Sequence, residues 1–184
     1  MSRRRLIVPG ALAAVAVASL ATLLPAHAAP NPRGAECVLA GAATISPGLT
    51  QTARTQTVTL SGVKLTQCHT GSVAGAGVPK TVTATVSVPA TTSKASCARG
   101  DLNLTATIRW STGTTTVTKV TTHGVLVNQA LNGTVSSSTN PDLKPGDLVA
   151  GNAAFRPTSP TQNCVTVPVT SVTFNGLLAA GSPK

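Results

Sequence analysis

The chain has 184 residues, of which 10% are charged and 2% aromatic, with no Tyr, four Cys, and 14 Lys and Arg against four Asp and Glu. That length sets one compact domain as the prior. The composition speaks against a multidomain enzyme, a helical bundle and an aromatic-lined ligand groove, and it names no specific activity.

Residues 1–28 read as a secretory signal peptide. Arg3, Arg4 and Arg5 form a basic start, Leu6 to Leu24 is apolar, and Ala26-His27-Ala28 supplies small residues at −3 and −1 of a cleavage site. The expected cut lies between Ala28 and Ala29. One residue later, Pro30 would sit at +1 and His27 at −3, where a small residue is needed. An uncleaved membrane anchor is the competing reading, but Pro9-Gly10 interrupts the apolar stretch. The run Ser2-Arg3-Arg4-Arg5-Leu6-Ile7 loosely matches a twin-arginine signal. Export in the unfolded state is expected instead, since the folded route would require the Cys pairs to form first.

Residues 29–184 are then a single secreted domain with no membrane span. Loss of three arginines leaves eleven basic residues against four acidic ones, a net charge of +7. Val, Leu, Ile and Phe make up 34 of its 156 residues, only just above the roughly 20% below which disorder becomes the default. So thin a core calls for cross-links. Cys37, Cys68, Cys97 and Cys164 all follow the cleavage site, and an even count in an exported chain reads as two disulfides with three possible pairings. The expected pairs are Cys37–Cys68, stapling the opening segment to the first hairpin, and Cys97–Cys164, tying the starts of two strands. A zinc site is not expected, because there is no C-x-x-C and Cys68-His69 stands alone. No metal or cofactor is expected.

Thr alternates with apolar residues from Gln56 to Leu60 and from Lys80 to Val88, the period of a half-buried strand. The same period over Leu102–Trp110 puts Leu102, Leu104, Ala106, Ile108 and Trp110 on one face. Ser111-Thr112-Gly113 is a turn, and the β-branched run from Thr114 to Thr122 completes a hairpin. Further strands are expected at 124–128, 133–137, 147–155 and 165–174, with Pro168 marking an edge or bulge in the last. Turns are expected at 71–79, 89–96, 140–146 and 157–160. Nothing has the spacing of an amphipathic helix. Seven to nine short antiparallel strands with two disulfides imply an all-β sandwich, a small Greek-key barrel being the alternative. The abundant Thr fits a sheet face that is wet without being charged.

No catalytic set stands out. Ser61-Gly62-Val63-Lys64 matches S-x-x-K, but that chemistry needs a helix and the motif lies in a Thr/Val strand region. His123 and Asp147 could serve a triad, but no nucleophile elbow accompanies them. Glu36, Asp101, Asp142 and Asp147 are scattered, and a carboxylate pair would lack an aromatic sugar platform. Trp110, at the end of an apolar face, is expected in the core. Arg99-Gly100-Asp101 matches a tripeptide read by animal adhesion receptors, but Gly-Asp is also ordinary turn chemistry. The basic residues from Arg33 to Lys184 show no cluster of three, which disfavours specific nucleic-acid binding. Attraction to an anionic cell-envelope polymer, or to an extracellular protein, is the partner reading that charge supports.

Three stretches carry a resemblance: Gly41-Ala42-Ala43-Thr44-Ile45-Ser46-Pro47-Gly48-Leu49, Ile108-Arg109-Trp110-Ser111-Thr112-Gly113, and the closing Phe174-Asn175-Gly176. With Leu131-Asn132-Gly133-Thr134-Val135 they resemble the small Ala/Thr/Gly-rich secreted proteins of high-GC actinobacteria. That resemblance implies an exported immunoglobulin-like sandwich and transfers no catalytic residue. More loosely the chain resembles the enediyne-carrying apoproteins of the same bacteria, which are shorter and acidic, with closely spaced Cys pairs. The functional expectation is an exported, non-enzymatic module of the envelope or the extracellular space. A small-ligand carrier and a secreted hydrolase are the alternatives.

Overall fold

The alternation of Thr with aliphatic residues becomes strand along nearly its whole length. The computed structural model describes residues 34–70 and 80–182. The expected signal peptide, its cleavage site at Ala28 and Ala29, and the expected turn at 71–79 lie outside them. The described residues form nine strands and no helix: β1 (Gly34–Leu49), β2 (Arg54–Thr70), β3 (Lys80–Ser87), β4 (Thr91–Ala95), β5 (Gly100–Trp110), β6 (Thr115–Val125), β7 (Asn128–Ser138), β8 (Leu148–Pro157) and β9 (Val169–Gly181). No helix among them is long and apolar enough to cross a membrane.

All pairings are antiparallel, and β1 pairs with both β2 and β9, so the sheet closes on itself. β3 and β4 lie one after the other in a single lane between β2 and β5. Lys64↔Thr85 and Val58↔Thr91 keep the same register on β2, while Ala84↔Trp110 and Ala95↔Gly100 flank the other side. The result is an eight-lane barrel in which each lane pairs with the next in chain order, β3 and β4 sharing one lane and not pairing with each other.

This corrects the sandwich expectation, and with it the immunoglobulin-like fold that the actinobacterial resemblance implied. The barrel alternative has the right closure, but the connections are up-and-down, not Greek-key. Alternation reports one buried face; whether that face meets a second sheet or curls upon itself depends on the β1–β9 pairing, which no local pattern encodes. Among the described residues, closure leaves no strand at the edge of the sheet, although the β3–β4 lane is interrupted between Ser87 and Thr91. Pro168 therefore lies neither on an edge strand nor in a bulge but just before β9, where its missing N–H costs no ladder bond.

Several boundaries differ from expectation. β1 was not expected: its Gly- and Ala-rich segment shows only weak contrast between faces, although the strand alternates buried Ala35, Cys37 and Leu39 with exposed or half-buried neighbours. The expected strand at 124–128 straddles a two-residue turn at Leu126-Val127 joining β6 to β7. The expected turn at 89–96 holds the short β4. The Ser111-Thr112-Gly113 turn is present as expected, closed by Gly113 N–H donating to Trp110 O at 3.0 Å, with Gly113 at φ 84°.

Both disulfides form, as Cys37–Cys68 and Cys97–Cys164. The first joins adjacent strands β1 and β2. The second joins the β4–β5 loop to the β8–β9 loop, so Cys164 lies in a loop and not at a strand start. In the chain-entropy account, links spanning 31 and 67 residues are each worth about 4 kcal/mol. Disulfides persist in oxidising compartments, which is compatible with an exported protein.

Candidate ligand cavity

Eight strands make a barrel whose interior either fills with side chains or holds one small ligand. Here the two ends are packed and the middle is not. At the first end Trp110, Leu65, Val135 and Leu143 are buried with the Cys37–Cys68 bridge. Trp110 Nε1 donates to Thr116 Oγ1 at 2.9 Å, and Thr116 bonds Ser138 Oγ at 2.8 Å, which satisfies the polar atoms of this plug. Trp110 is thus core, as expected. Leu143 reaches the plug from the β7–β8 loop. That loop is held by Asn140 Oδ1 accepting from Asp142 N–H and Asp147 Oδ2 accepting from Lys144 N–H.

At the other end Ile45, Leu49, Val58, Ala95, Val169 and Val172 form a second cluster. Fully buried Gln56 pins the β1–β2 turn: Gly48 N–H donates to its Oε1, and its Nε2 donates to Gly48 O, both at 2.9 Å. The Cys97–Cys164 bridge straps this end, and Leu126 N–H donates to Cys97 O at 3.1 Å.

Between the clusters lies a cavity of about 150 Å³ whose walls include Leu60, Leu104, Ala106, Val120, Leu131 and Phe174. Ala106 is buried yet belongs to neither packed cluster, as expected of a side chain facing the void. Its mouth follows from the shared lane. Between Ser87 and Thr91 the lane carries Val88-Pro89-Ala90, which pair with neither neighbour. The inward-facing Val86, Val88, Leu102 and Leu104 beside this break line the cavity and are only half-buried. The side wall is breached there, and Pro89 ensures that one backbone donor needed to seal it is missing.

Of the 27 wall residues, only Ser96, Thr118, Thr122 and Gln129 carry a side-chain oxygen or nitrogen, and none is ionisable. Thr122 and Gln129 come from β6 and β7, where Thr122 pairs with Leu131 and Gly124 with Gln129. Neither stands out in the sequence, where abundant Thr fits a wet outer face; in the barrel Thr116, Thr118 and Thr122 point inward with Val120. The inward phase of β6 was legible from Val120, but a small interior residue and an exposed one look alike in sequence.

The expected catalytic candidates do not assemble. Ser61 and Lys64 are both exposed on strand β2, not on a helix. Asp147 is buried and accepts from Ser182 Oγ at 2.7 Å, not from His123. His123 Nδ1 instead lies 3.1 Å from Asp101 Oδ1 on the exposed outer face, and Arg99 Nη2 lies 3.6 Å from Asp101 Oδ2, tying the Arg-Gly-Asp segment to itself. Neither His123 nor Asp101 lines the cavity. His69 and Glu36 are paired across β1 and β2, both exposed. No group of three His, Cys, Asp or Glu suited to a metal occurs among the described residues. Comparison with protein-family models, curated proteins and solved structures finds no match.

Proposed function

We propose that this protein is a carrier or binding module for a small apolar molecule held inside the barrel. The cavity carries the reading: an apolar void of about 150 Å³ with a side mouth. A dry apolar cavity of about that size takes a benzene-sized guest. At about 24 cal/mol per Å³, such a void costs about 3–4 kcal/mol of stability, which a ligand would offset. Methyl NMR of the disulfide-bonded protein titrated with benzene tests it. Shifts are expected at Leu104, Val120 and Leu131 and not at exposed Leu148 and Leu177; shifts at neither group, or equally at both, refute it.

The positive charge favours a second, compatible reading, association with an anionic envelope polymer. Exposed Lys64 and Arg109 flank Thr85 in one rung of the barrel wall, with exposed Lys94 and Lys119 on the neighbouring strands β4 and β6. Retention on isolated cell wall at low salt and release at high salt are expected; no retention at low salt removes this reading.

A further inference from the structure

Two of the polar side chains on the cavity wall are incompletely bonded, and together they describe a ligand. Thr122 is 4% exposed, and its Oγ1 has no hydrogen-bond partner in the protein. The Oε1 of Gln129 is likewise buried without one. Both residues line the cavity, on adjacent strands and one diagonal step apart. Ser96, by contrast, is satisfied: its Oγ accepts from Arg99 N–H at 3.2 Å. The orientation of Gln129 is set by its other amide atom, because Nε2 donates to Val125 O at 2.9 Å, and a carbonyl can be met only by the NH2 side. Burying such atoms unpaired costs about 1–3 kcal/mol each, so native proteins rarely do so without a partner to come.

We infer that the cavity binds a small neutral alcohol or phenol, its hydroxyl held between Thr122 Oγ1 and Gln129 Oε1. This rests on the carrier reading and specifies its ligand. Gln129 Oε1 can only accept, so the ligand must donate; Thr122 Oγ1 can donate as well as accept. A hydroxyl gives its proton to Gln129 and accepts one from Thr122, satisfying both atoms at once. A ketone or ether would leave Gln129 unpaired, and a hydrocarbon would leave both. A carboxylate or ammonium ion is disfavoured because no ionisable side chain lines the cavity to compensate its charge. The volume limits the body to about the size of one aromatic ring.

The test uses p-cresol and its near-isostere p-xylene, with binding to the full, disulfide-bonded protein measured by calorimetry. A purely apolar cavity would favour p-xylene, since desolvating the hydroxyl is unfavourable. Here p-cresol is expected to bind roughly tenfold more tightly than p-xylene. Thr122→Val and Gln129→Met should each weaken p-cresol roughly tenfold and leave p-xylene unchanged, while Thr122→Ser retains p-cresol binding. Trp110 fluorescence reports that each variant is folded; should one fail to fold, the wild-type cresol-to-xylene ratio still decides. Equal or stronger binding of p-xylene overturns the alcohol inference and leaves the carrier reading standing. Binding of neither compound overturns both.

Discussion

Ala106→Leu tests whether the barrel interior is a real void. Ala106 lies on β5 beside the breach, buried, and outside both packed clusters. Leucine adds three carbons to a space of about 150 Å³. At about 0.8 kcal/mol per buried methylene this contributes about 2.4 kcal/mol, less about 0.5–1 kcal/mol of rotamer entropy. The cavity slope gives a similar figure, since filling half the void recovers about 1.8 kcal/mol at about 24 cal/mol per Å³. The expected net gain is about 1.5–2 kcal/mol, read by guanidinium denaturation as a higher midpoint with unchanged slope. The same substitution should abolish binding of ring-sized guests. Destabilisation of about 1–3 kcal/mol, the signature of overpacking, together with intact guest binding, would show that the site is already filled and refute the reasoning.

Other consequences concern the ends of the barrel. Gln56→Leu leaves Gly48 N–H without its acceptor, while Arg54 still donates to Gly48 O; a loss of about 1–3 kcal/mol is expected by urea denaturation. Leu143→Ala empties the plug at the Trp110 end and should cost about 2–4 kcal/mol, with a change in Trp110 emission that Leu148→Ala, at an exposed position, does not produce. Replacing Cys97 and Cys164 together by Ser should lower stability by about 4 kcal/mol in calorimetry, and a loss under about 1 kcal/mol would show that the strap across that end contributes little.

The parts of this fold visible in the sequence are those set by local period. Leu102 to Trp110 alternates strongly enough to fix both the strand and its inward face, and Trp110 and Ile108 are buried accordingly. The Cys count implied two bridges, and of the three possible pairings the expected one forms, although Cys164 sits in a loop and not at a strand start. Closure was not visible, because it rests on β1, whose Ala and Gly residues barely contrast inside with outside, pairing with the distant β9. Nor was the cavity visible. It exists because Ala106, Thr118 and Thr122 are too small to meet across the barrel, and because the β3–β4 lane breaks at Pro89. Small inward residues read in sequence as a hydrated face. Their meaning changes only once the sheet is curled and their side chains are seen to share one space.

Whether the barrel interior holds a small molecule can be read by native mass spectrometry of protein purified from its own host. A population carrying one small, neutral, non-covalent adduct that gentle activation removes is expected, with that adduct lost in Ala106→Leu. Protein that is uniformly free of adduct, and that still takes up neither p-cresol nor p-xylene when they are supplied, would contradict the carrier reading.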